Sequence, residues 1–285
     1  MSGLRSFLFV PADSERKLAR AAEAEADVLL LDLEDSVGAE RKKAARAMAA
    51  DWLRSAARPS AFVRVNAFDT GLTFLDLAAV MPARPDGIML PKCAGAADVA
   101  RLAAALDALE AREAIAPGGT RIMPIATETA GALFTLGQYA GASPRLVALT
   151  WGAEDLAAVV GARANKHRGR FDDLFRLARA LCLAGAAAAD VAAIDTVYPD
   201  FRDGTGFARE CADARRMGFT GKMAIHPGQV SAINDAFTPS VEEREHAQAI
   251  VDAFAASPGA GVVSLHGRMV DRPHLIAARR LLGLS

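Results

Sequence analysis

The chain has 285 residues, of which 52% are hydrophobic and 24% are charged, which is enough apolar material for the single large core of one α/β barrel. Its formal net charge is −1, which argues against a nucleic-acid or membrane-surface role, because both need a basic face. The sequence shows no secretory signal peptide and no apolar run long enough to span a bilayer. Cys93, Cys182 and Cys211 have neither metal-ligand spacing nor a disulfide framework. We therefore expect a cytoplasmic protein with no nucleic-acid or membrane partner.

Short apolar runs alternate along the chain with segments of helical apolar spacing. The runs predict eight strands, over residues 7–10, 28–33, 62–65, 87–90, 122–126, 146–149, 192–195 and 221–225. The segments between them predict helices over residues 14–25, 39–57, 73–80, 96–114, 130–139, 170–187 and 205–217. The strands are continuous apolar runs, which suits a parallel sheet covered by helices. Eight such strands close a barrel, so the predicted fold is α/β, a (β/α)8 TIM barrel.

The pattern changes after the eighth strand. We assign residues 1–228 to the barrel domain and residues 229–285 to a C-terminal extension. The extension contains a predicted helix over 241–256, a hairpin that turns at His266-Gly267, and a short basic helix. Such an extension can form a lid over its own barrel or reach a neighbouring subunit, and the sequence leaves both possibilities open.

Two carboxylates follow neighbouring predicted strands. Glu128 comes after the strand over 122–126, and Asp155 comes after the strand over 146–149. Parallel strands end at the same edge of a barrel, so both side chains are expected at the face where barrel enzymes carry their catalytic groups. Two carboxylates with no His or Cys beside them form an oxygen-only cation site, which suits Mg²⁺ better than Zn²⁺.

Arg64 lies inside the predicted strand FVRVN. An arginine that points to the axis of a barrel needs an anionic partner. One interpretation is an ion pair with a carboxylate of the same rim. The other is a bidentate grip on a substrate carboxylate, for which the planar guanidinium is better suited than lysine.

An acidic cluster, formed by Asp32, Glu34 and Asp35, follows the second predicted strand. The period of two along a strand places Asp32 and Glu34 on one face and Asp35 on the other. Asp32 is predicted either to bind the substrate side of the site, through metal-bound water, or to act structurally as a cap or ion-pair partner. Lys92, which follows the fourth strand, either neutralises a thioester or phosphate oxygen of the substrate or belongs to a structural ion pair.

Nine sequence motifs occur together in one order along the chain. They are SFLFVPAD, LLLDLEDSV, VRVN, MLPK, ATETA, TWGAEDLA, AIDTVYPDFRD, GFTGKMAIHPGQV and GRMVDRP, and they extend from Ser6 to Pro273. On these motifs the chain resembles the citrate lyase β-subunit-like proteins of the HpcH/HpaI aldolase/citrate lyase superfamily, and is similar to malyl-CoA and citramalyl-CoA lyases. The resemblance implies metal ligands at Glu128 and Asp155 and a substrate-carboxylate arginine at Arg64. It also implies an acid/base at Asp271, supplied by a neighbouring subunit, although the residues alone favour a solvated turn position for Asp271.

The sequence departs from the family pattern at three places. Ala12 replaces a usual glycine, and the segment that ends at Glu128 reads ATE where many relatives have a bulkier aliphatic residue before the glutamate. The hairpin reads His266-Gly267-Arg268-Met269-Val270-Asp271 where DGKMID is common. The acid at the hairpin tip is lost and the later Asp271 is kept, so the resemblance still implies lyase activity.

The activity implied by the resemblance is Mg²⁺-dependent carbon–carbon cleavage, or formation, of a hydroxyacyl-CoA thioester of the malyl-, citramalyl- or citryl-CoA type. The products would be an acyl-CoA and a 2-oxo acid. Mg²⁺ at Glu128 and Asp155 would chelate the reacting part of the substrate, Arg64 would hold its carboxylate, and Asp271 would act as acid/base. Glu128 and Arg64 are thus expected to serve in both catalysis and substrate binding.

Two other functions stay open at this point. The same site could hydrolyse the thioester, or the chain could be a non-catalytic subunit of a citrate-lyase-type assembly, because a family fold does not guarantee turnover. An acid/base supplied by a neighbour implies a homo-oligomer, a trimer or a hexamer. The sequence does not determine the acyl group or the 2-oxo acid.

Overall fold

Strands and helices alternate through most of the chain. The computed structural model describes residues 4–55 and 58–284. The strands of this part are β1 (Ser6–Pro11), β2 (Val28–Asp32), β3 (Ser60–Arg64), β4 (Gly87–Leu90), β5 (Arg121–Pro124), β6 (Ala148–Thr150), β7 (Lys166–His167), β8 (Arg170–Phe171), β9 (Ala192–Asp195), β10 (Gly221–Ala224), β11 (Val262–Leu265) and β12 (Arg268–Asp271). The helices are α1 (Glu15–Ala22), α2 (Lys42–Leu53), α3 (Thr73–Val80), α4 (Ala96–Arg112), α5 (Ala153–Val160), α6 (Asp173–Ala188), α7 (Gly204–Met217), α8 (Val230–Phe237), α9 (Val241–Ala255) and α10 (Arg272–Leu282).

Eight of the strands form one parallel barrel. The strands β1 to β5 pair in chain order, and β1 pairs on its other side with β10, which is followed by β9 and β6. The seam between β5 and β6 is closed by two parallel bridges, Ile122–Leu146 and Ile125–Thr150. At this seam the Ile122 amide donates to the Arg145 carbonyl at 2.8 Å. The predicted (β/α)8 TIM barrel is therefore confirmed.

Alternate residues of the barrel strands face two different apolar layers. On β2, Leu30 belongs to the small cluster inside the barrel, whereas Leu29 and Leu31 belong to the large cluster between strands and helices. All five residues of β2 are buried, which explains why the run is continuously apolar. The same period of two directs Asp32 and, on β3, Arg64 toward the barrel interior.

The helix predicted over residues 130–139 is not present. The structure has two short 3₁₀ turns instead, Gly131–Phe134 and Leu136–Gln138. Between them the Thr135 hydroxyl donates to the Ala94 carbonyl at 2.7 Å. This tertiary contact to the loop after β4 competes with a continuous helix, so local propensity alone was misleading here.

The connection between β6 and β9 contains elements that the sequence reading missed. The helix α5 follows β6 almost directly and ends at Gly161, which has a left-handed φ of 71°. After it, β7 and β8 form a small antiparallel hairpin. Because Arg170 and Phe171 belong to β8, α6 begins at Asp173 and not at residue 170 as predicted.

The helix predicted over 39–57 begins as a 3₁₀ turn, Ala39–Arg41, and continues as α2 from Lys42. Its last two predicted residues lie outside the described residues. Across residues 4–55 and 58–284, none of the helices combines the length and the apolar character needed to cross a membrane.

The chain divides into two compact units at Phe237 and Thr238. The sequence placed the corresponding boundary after residue 228. The difference arises from α8, which buries Val230, Ile233 and Phe237 in the large core of the barrel unit.

The second unit has an apolar core of its own. Ala247, Ile250 and Phe254 of α9 pack with Val270 of β12 and Ala278 of α10. The strands β11 and β12 form the predicted antiparallel hairpin, and its turn residues His266 and Gly267 have left-handed φ values of 49° and 75°. The predicted helix, hairpin and basic helix of the extension are thus all confirmed.

Candidate active site

The barrel brings five of the predicted site residues to the C-terminal ends of its strands. Asp32 ends β2 and Arg64 ends β3, while Lys92 and Glu128 follow β4 and β5. Asp155 lies in the first turn of α5, just after β6. Lys92 joins the group, because it contacts both Glu128 and Asp155. The five barrel residues selected from the sequence therefore lie together at one end of the barrel.

Arg64 forms a bidentate ion pair with Asp32. Its Nε donates to Oδ1 and its Nη2 to Oδ2, both at 2.7 Å. The guanidinium also lies over the ring of Phe9, 4.7 Å from the centroid. The structure thus contains the ion pair that was one of the two interpretations of Arg64. A grip on a substrate carboxylate stays a prediction.

The carboxylate of Asp32 has little capacity left for a ligand. Besides Arg64, its Oδ1 accepts the Glu34 amide at 2.9 Å and its Oδ2 accepts the Ser36 amide at 3.1 Å. Burial works against the charge of Asp32, but Arg64 outweighs it and the pKa of Asp32 is lowered. Asp32 therefore orients Arg64. The predicted contact of Asp32 with substrate or metal-bound water would require one of these bonds to be exchanged.

Glu34 is a buried member of the site that the sequence reading did not select. Oε2 of Glu34 lies 3.0 Å from Nη1 of Arg64. Among the described residues, however, no donor is aligned well enough to form a hydrogen bond with this oxygen. Burial raises the pKa of Glu34 above its ordinary value. The signal in the sequence was the period of two that placed Glu34 on the same face as Asp32.

Lys92 bridges the acidic groups of the site. Its Nζ contacts Glu34 directly and lies 3.4 Å from both Asp35 and Asp155. Burial opposes the charge of this ammonium, but Glu34 outweighs it and the pKa of Lys92 is raised. The backbone of Lys92 has a left-handed φ of 51°, which is uncommon for a residue with a side chain. In this conformation the Lys92 amide donates to Oε2 of Glu128 at 2.5 Å.

Glu128 is a buried carboxylate held in a narrow space. Burial, followed by the nearby charge of Asp155, raises the pKa of Glu128 to about 8. Its side chain packs against Gly152, where a Cβ would lie 2.6 Å from Cγ of Glu128. Gly152 is therefore a site residue that the sequence reading missed, since a glycine chosen for close packing leaves no chemical signal.

The residues present fit a magnesium ion. Asp32, Glu34, Glu128 and Asp155 are four carboxyl groups against the two cations Arg64 and Lys92, and the raised pKa of Glu128 reflects this crowding of acidic groups, which a divalent cation would relieve. Oε1 of Glu128 accepts no hydrogen bond within the described part of the chain, so this oxygen is available as a metal ligand. Over the same residues, no group of three or more His, Cys, Asp or Glu side chains is placed to hold a metal. A site of two carboxylates completed by water or substrate is the arrangement that Mg²⁺ favours.

Asp271 lies in the second unit, at the end of β12. It is the N-cap residue of α10, and its carboxylate contacts the ring of His274. About half of its side chain is exposed, as the residues alone had indicated. Its predicted acid/base role stays a prediction.

A parallel barrel whose strand ends carry a cluster of carboxylates, an arginine and a lysine has the layout of barrel enzymes, which place their catalytic groups at this face. The profile of one family, described as HpcH/HpaI aldolase/citrate lyase, matches residues 5–227. The chain belongs to the HpcH/HpaI aldolase/citrate lyase family. The resemblance seen in the nine motifs is thus confirmed, and family membership supports enzymatic activity.

Two curated relatives illustrate the range of names in the family. The (3S)-malyl-CoA thioesterase of Cereibacter sphaeroides (strain KD131 / KCTC 12085) is 36% identical over 98% of this chain and 93% of its own length. The citrate lyase subunit beta of Escherichia coli (strain K12) is also 36% identical, over 98% of this chain and 92% of its own length. Two relatives that share the same sequence identity with this chain are therefore named for different reactions.

Solved structures show the same architecture. The CitE protein of Mycobacterium tuberculosis, in complex with magnesium, acetoacetate and coenzyme A, superposes with a TM-score of 0.78 at 32% identity and covers 100% of this chain and 99% of its own. A citrate lyase beta subunit from the same organism, complexed with oxaloacetate and magnesium, has a TM-score of 0.70 at 34% identity and covers 82% of this chain and 96% of its own. Both neighbours were solved with magnesium and a small oxo acid.

Proposed function

We propose that the protein is a Mg²⁺-dependent carbon–carbon lyase. Its substrate would be a hydroxyacyl-CoA thioester of the malyl-, citramalyl- or citryl-CoA type, cleaved to or formed from an acyl-CoA and a 2-oxo acid. The observation that carries the proposal is the convergence of Glu128 and Asp155 on Lys92, which shares Glu34 with Arg64, at one end of the barrel. The magnesium, oxo acid and coenzyme A bound by the CitE neighbour support the same ligand classes.

Each residue of the barrel site has a defined task in this proposal. Glu128 and Asp155 would hold the metal, which when bound would polarise the reacting oxygen of the substrate. Arg64, which Asp32 holds in place, would bind the substrate carboxylate that becomes the carboxylate of the 2-oxo acid product. Lys92 would keep Glu128 and Asp155 together and offset part of their mutual repulsion.

Asp271 would move the proton at the α-carbon of the thioester. In cleavage it donates a proton to this carbon, and in condensation it removes one. We further propose that the extension delivers Asp271, either as a lid of its own barrel or from a neighbouring subunit. In the second case the site is complete only in a homo-oligomer, a trimer or a hexamer.

Thioester hydrolysis is the second candidate. The relative named (3S)-malyl-CoA thioesterase favours it, and the same cluster could place a water molecule near the thioester carbonyl. The two reactions differ in their products: a lyase releases a 2-oxo acid with the CoA still acylated, whereas a hydrolase releases free CoA thiol.

The test is an assay of malyl-CoA, citramalyl-CoA and citryl-CoA with Mg²⁺ that follows 2-oxo acid and free thiol in parallel. We expect 2-oxo acid to form without free thiol. In Glu128→Gln the rate should fall on the order of 10³-fold, because a carboxylate ligand of the proposed metal is removed.

Glu154→Gln is the matched control for this assay. Glu154 lies beside Asp155 in the first turn of α5, but it is exposed and bonds only Asn165 among the described residues. Its rate should stay close to that of the wild type. Free thiol as the main product would establish the hydrolase. No turnover of the three esters would contradict both reactions and favour a non-catalytic subunit of a citrate-lyase-type assembly.

A further inference from the structure

His274 holds one oxygen of the Asp271 carboxylate. Its Nδ1 lies 2.5 Å from Oδ1 of Asp271. Two lone pairs at this distance would repel, so the contact requires one proton between the ring nitrogen and the oxygen. The His274 amide also points at Oδ1, at 3.5 Å. Oδ1 is therefore occupied by the first turn of α10.

The second oxygen of the same carboxylate is open. Oδ2 of Asp271 accepts no hydrogen bond from residues 4–55 and 58–284, and about half of the side chain is exposed. A carboxylate with one oxygen held and the other available has a fixed direction for proton transfer, because only Oδ2 can meet a substrate. An unheld aspartate at a helix end would rotate about its χ angles.

The strand that pairs with β12 places no charged side chain opposite Asp271. On β11 its partner in the hairpin is Val262, which is apolar. The hydrogen bond from His274 is the largest influence on the pKa of Asp271 and holds that pKa below the ordinary value. The aspartate is thus kept in the carboxylate form, which is the form that can remove a proton.

We infer that His274 is the positioning residue of the acid/base Asp271, which it orients through the Nδ1–Oδ1 contact so that Oδ2 faces the substrate. This inference rests on the proposed function, because it assigns a role within the same reaction. In condensation, Oδ2 of Asp271 takes the α-proton of the acyl-CoA, and the electron pair of that C–H bond forms the new carbon–carbon bond. The carbonyl oxygen of the 2-oxo acid takes one proton from solvent and becomes the hydroxyl. Asp271 then returns its proton to solvent, so protons balance.

A purely structural role for His274 makes a different prediction. Asp271 and His274 also form a capping box at the start of α10, in which the Asp271 amide approaches Nδ1 of His274 at 3.3 Å. Glu and Gln are the usual residues at this third helical position. If His274 only caps the helix, His274→Gln and His274→Glu should behave like the wild type.

The experiment compares these two variants with the wild type in the condensation direction, where Asp271 acts as the base, using Mg²⁺, acetyl-CoA and glyoxylate as probes, and measures kcat and KM against pH. We expect both variants to fold with an unchanged melting temperature and with KM close to wild type. In both, kcat should fall at least about 10-fold, because the direction of the carboxylate is lost. The acidic limb of the kcat profile should move to higher pH, and further in His274→Glu, because a like charge beside Asp271 disfavours its carboxylate form.

Glu243→Gln is the matched control, since Glu243 occupies the same position in the capping box that Ser240 forms at α9. It should change neither kcat nor the acidic limb. If both His274 variants keep the wild-type profile while Asp271→Asn is inactive, the inference is wrong and the proposed function stands. If Asp271→Asn is fully active, or if the wild type cleaves none of the esters, the proposed function fails and the inference fails with it.

Discussion

Gly152 has no side chain, and Glu128 fills the space where one would lie. A Cβ at this position would stand 2.6 Å from Cγ and 3.2 Å from Oε1 of Glu128. The neighbouring Thr127 fixes the same turn, because its hydroxyl accepts the Gly152 amide at 3.1 Å. The proposed metal ligand Glu128 can thus occupy its position only because residue 152 has no Cβ.

Gly152→Ala is therefore expected to displace the Glu128 carboxylate. Overpacking of this kind costs about 1–3 kcal/mol, and we expect Mg²⁺ affinity to fall about 10-fold or more, measured by titration calorimetry. The control is Gly137→Ala, where a Cβ meets nothing within 4 Å. Equal Mg²⁺ affinity in the two variants would show that Glu128 does not depend on this contact.

At the scale of elements, the seam between β5 and β6 is the least regular part of the barrel. It is formed by isolated bridges and not by a continuous ladder. Arg145, just before β6, binds both oxygens of Glu110 on α4 at 2.7 and 2.6 Å and the Thr120 carbonyl at 3.0 Å. It also pairs with Asp107. One buried guanidinium therefore ties α4 and the starts of β5 and β6 together.

Arg145→Met should loosen this seam. Removal of one partner of a buried ion pair costs about 3–5 kcal/mol, because Glu110 is left buried without its cation. We expect this loss in the free energy of unfolding from urea titration, with faster hydrogen exchange at the Ile122 and Val147 amides. The control is Arg54→Met, whose ion pair with Asp51 is exposed and should contribute less than about 1 kcal/mol. Similar losses in both variants would contradict the role of Arg145.

For the whole molecule, one buried ionic network connects elements that are distant in sequence. Asp195 at the end of β9 accepts from Trp151 at 2.8 Å, from Arg179 of α6 at 2.9 Å and from Lys222 of β10 at 2.8 Å. Lys222 also lies 3.0 Å from Glu210 of α7. Asp195 and Lys222 are fully buried, so the network makes the stability of the molecule depend on pH.

Asp195 should stabilise the fold above about pH 4 and lose this contribution in acid. Burial opposes its charge, but Lys222 and Arg179 outweigh it and lower the pKa of Asp195 from 3.8 to about 2. A carboxylate with a lowered folded-state pKa contributes stability above its ordinary pKa, and this contribution disappears as the pH falls through the folded value. The shift corresponds to about 2–3 kcal/mol.

Lys222→Met tests this linkage. The variant should lose about 3–5 kcal/mol of unfolding free energy near neutral pH. This difference from the wild type should shrink as the pH falls from about 4 toward 2, because the protonated Asp195 no longer gains from Lys222. Arg216→Met, which removes an exposed pair with Asp213, should show no such change. A constant difference between Lys222→Met and the wild type over this range would contradict the assignment.

The sequence by itself determined the eight strands, the closed barrel and the neighbourhood of Glu128, Asp155 and Arg64. The physical reason is that continuous apolar runs and helical spacing are local patterns, and parallel strands necessarily end at one face. Only the tertiary structure decided which charges pair. Asp32 forms the ion pair with Arg64, Glu34 and Lys92 belong to the same cluster, and Gly152 leaves space for Glu128. These contacts depend on the stagger of strands that are far apart in the chain. The segment over 130–139 shows the same limit, since a hydroxyl bond to the loop after β4 replaced the helix that its composition favours.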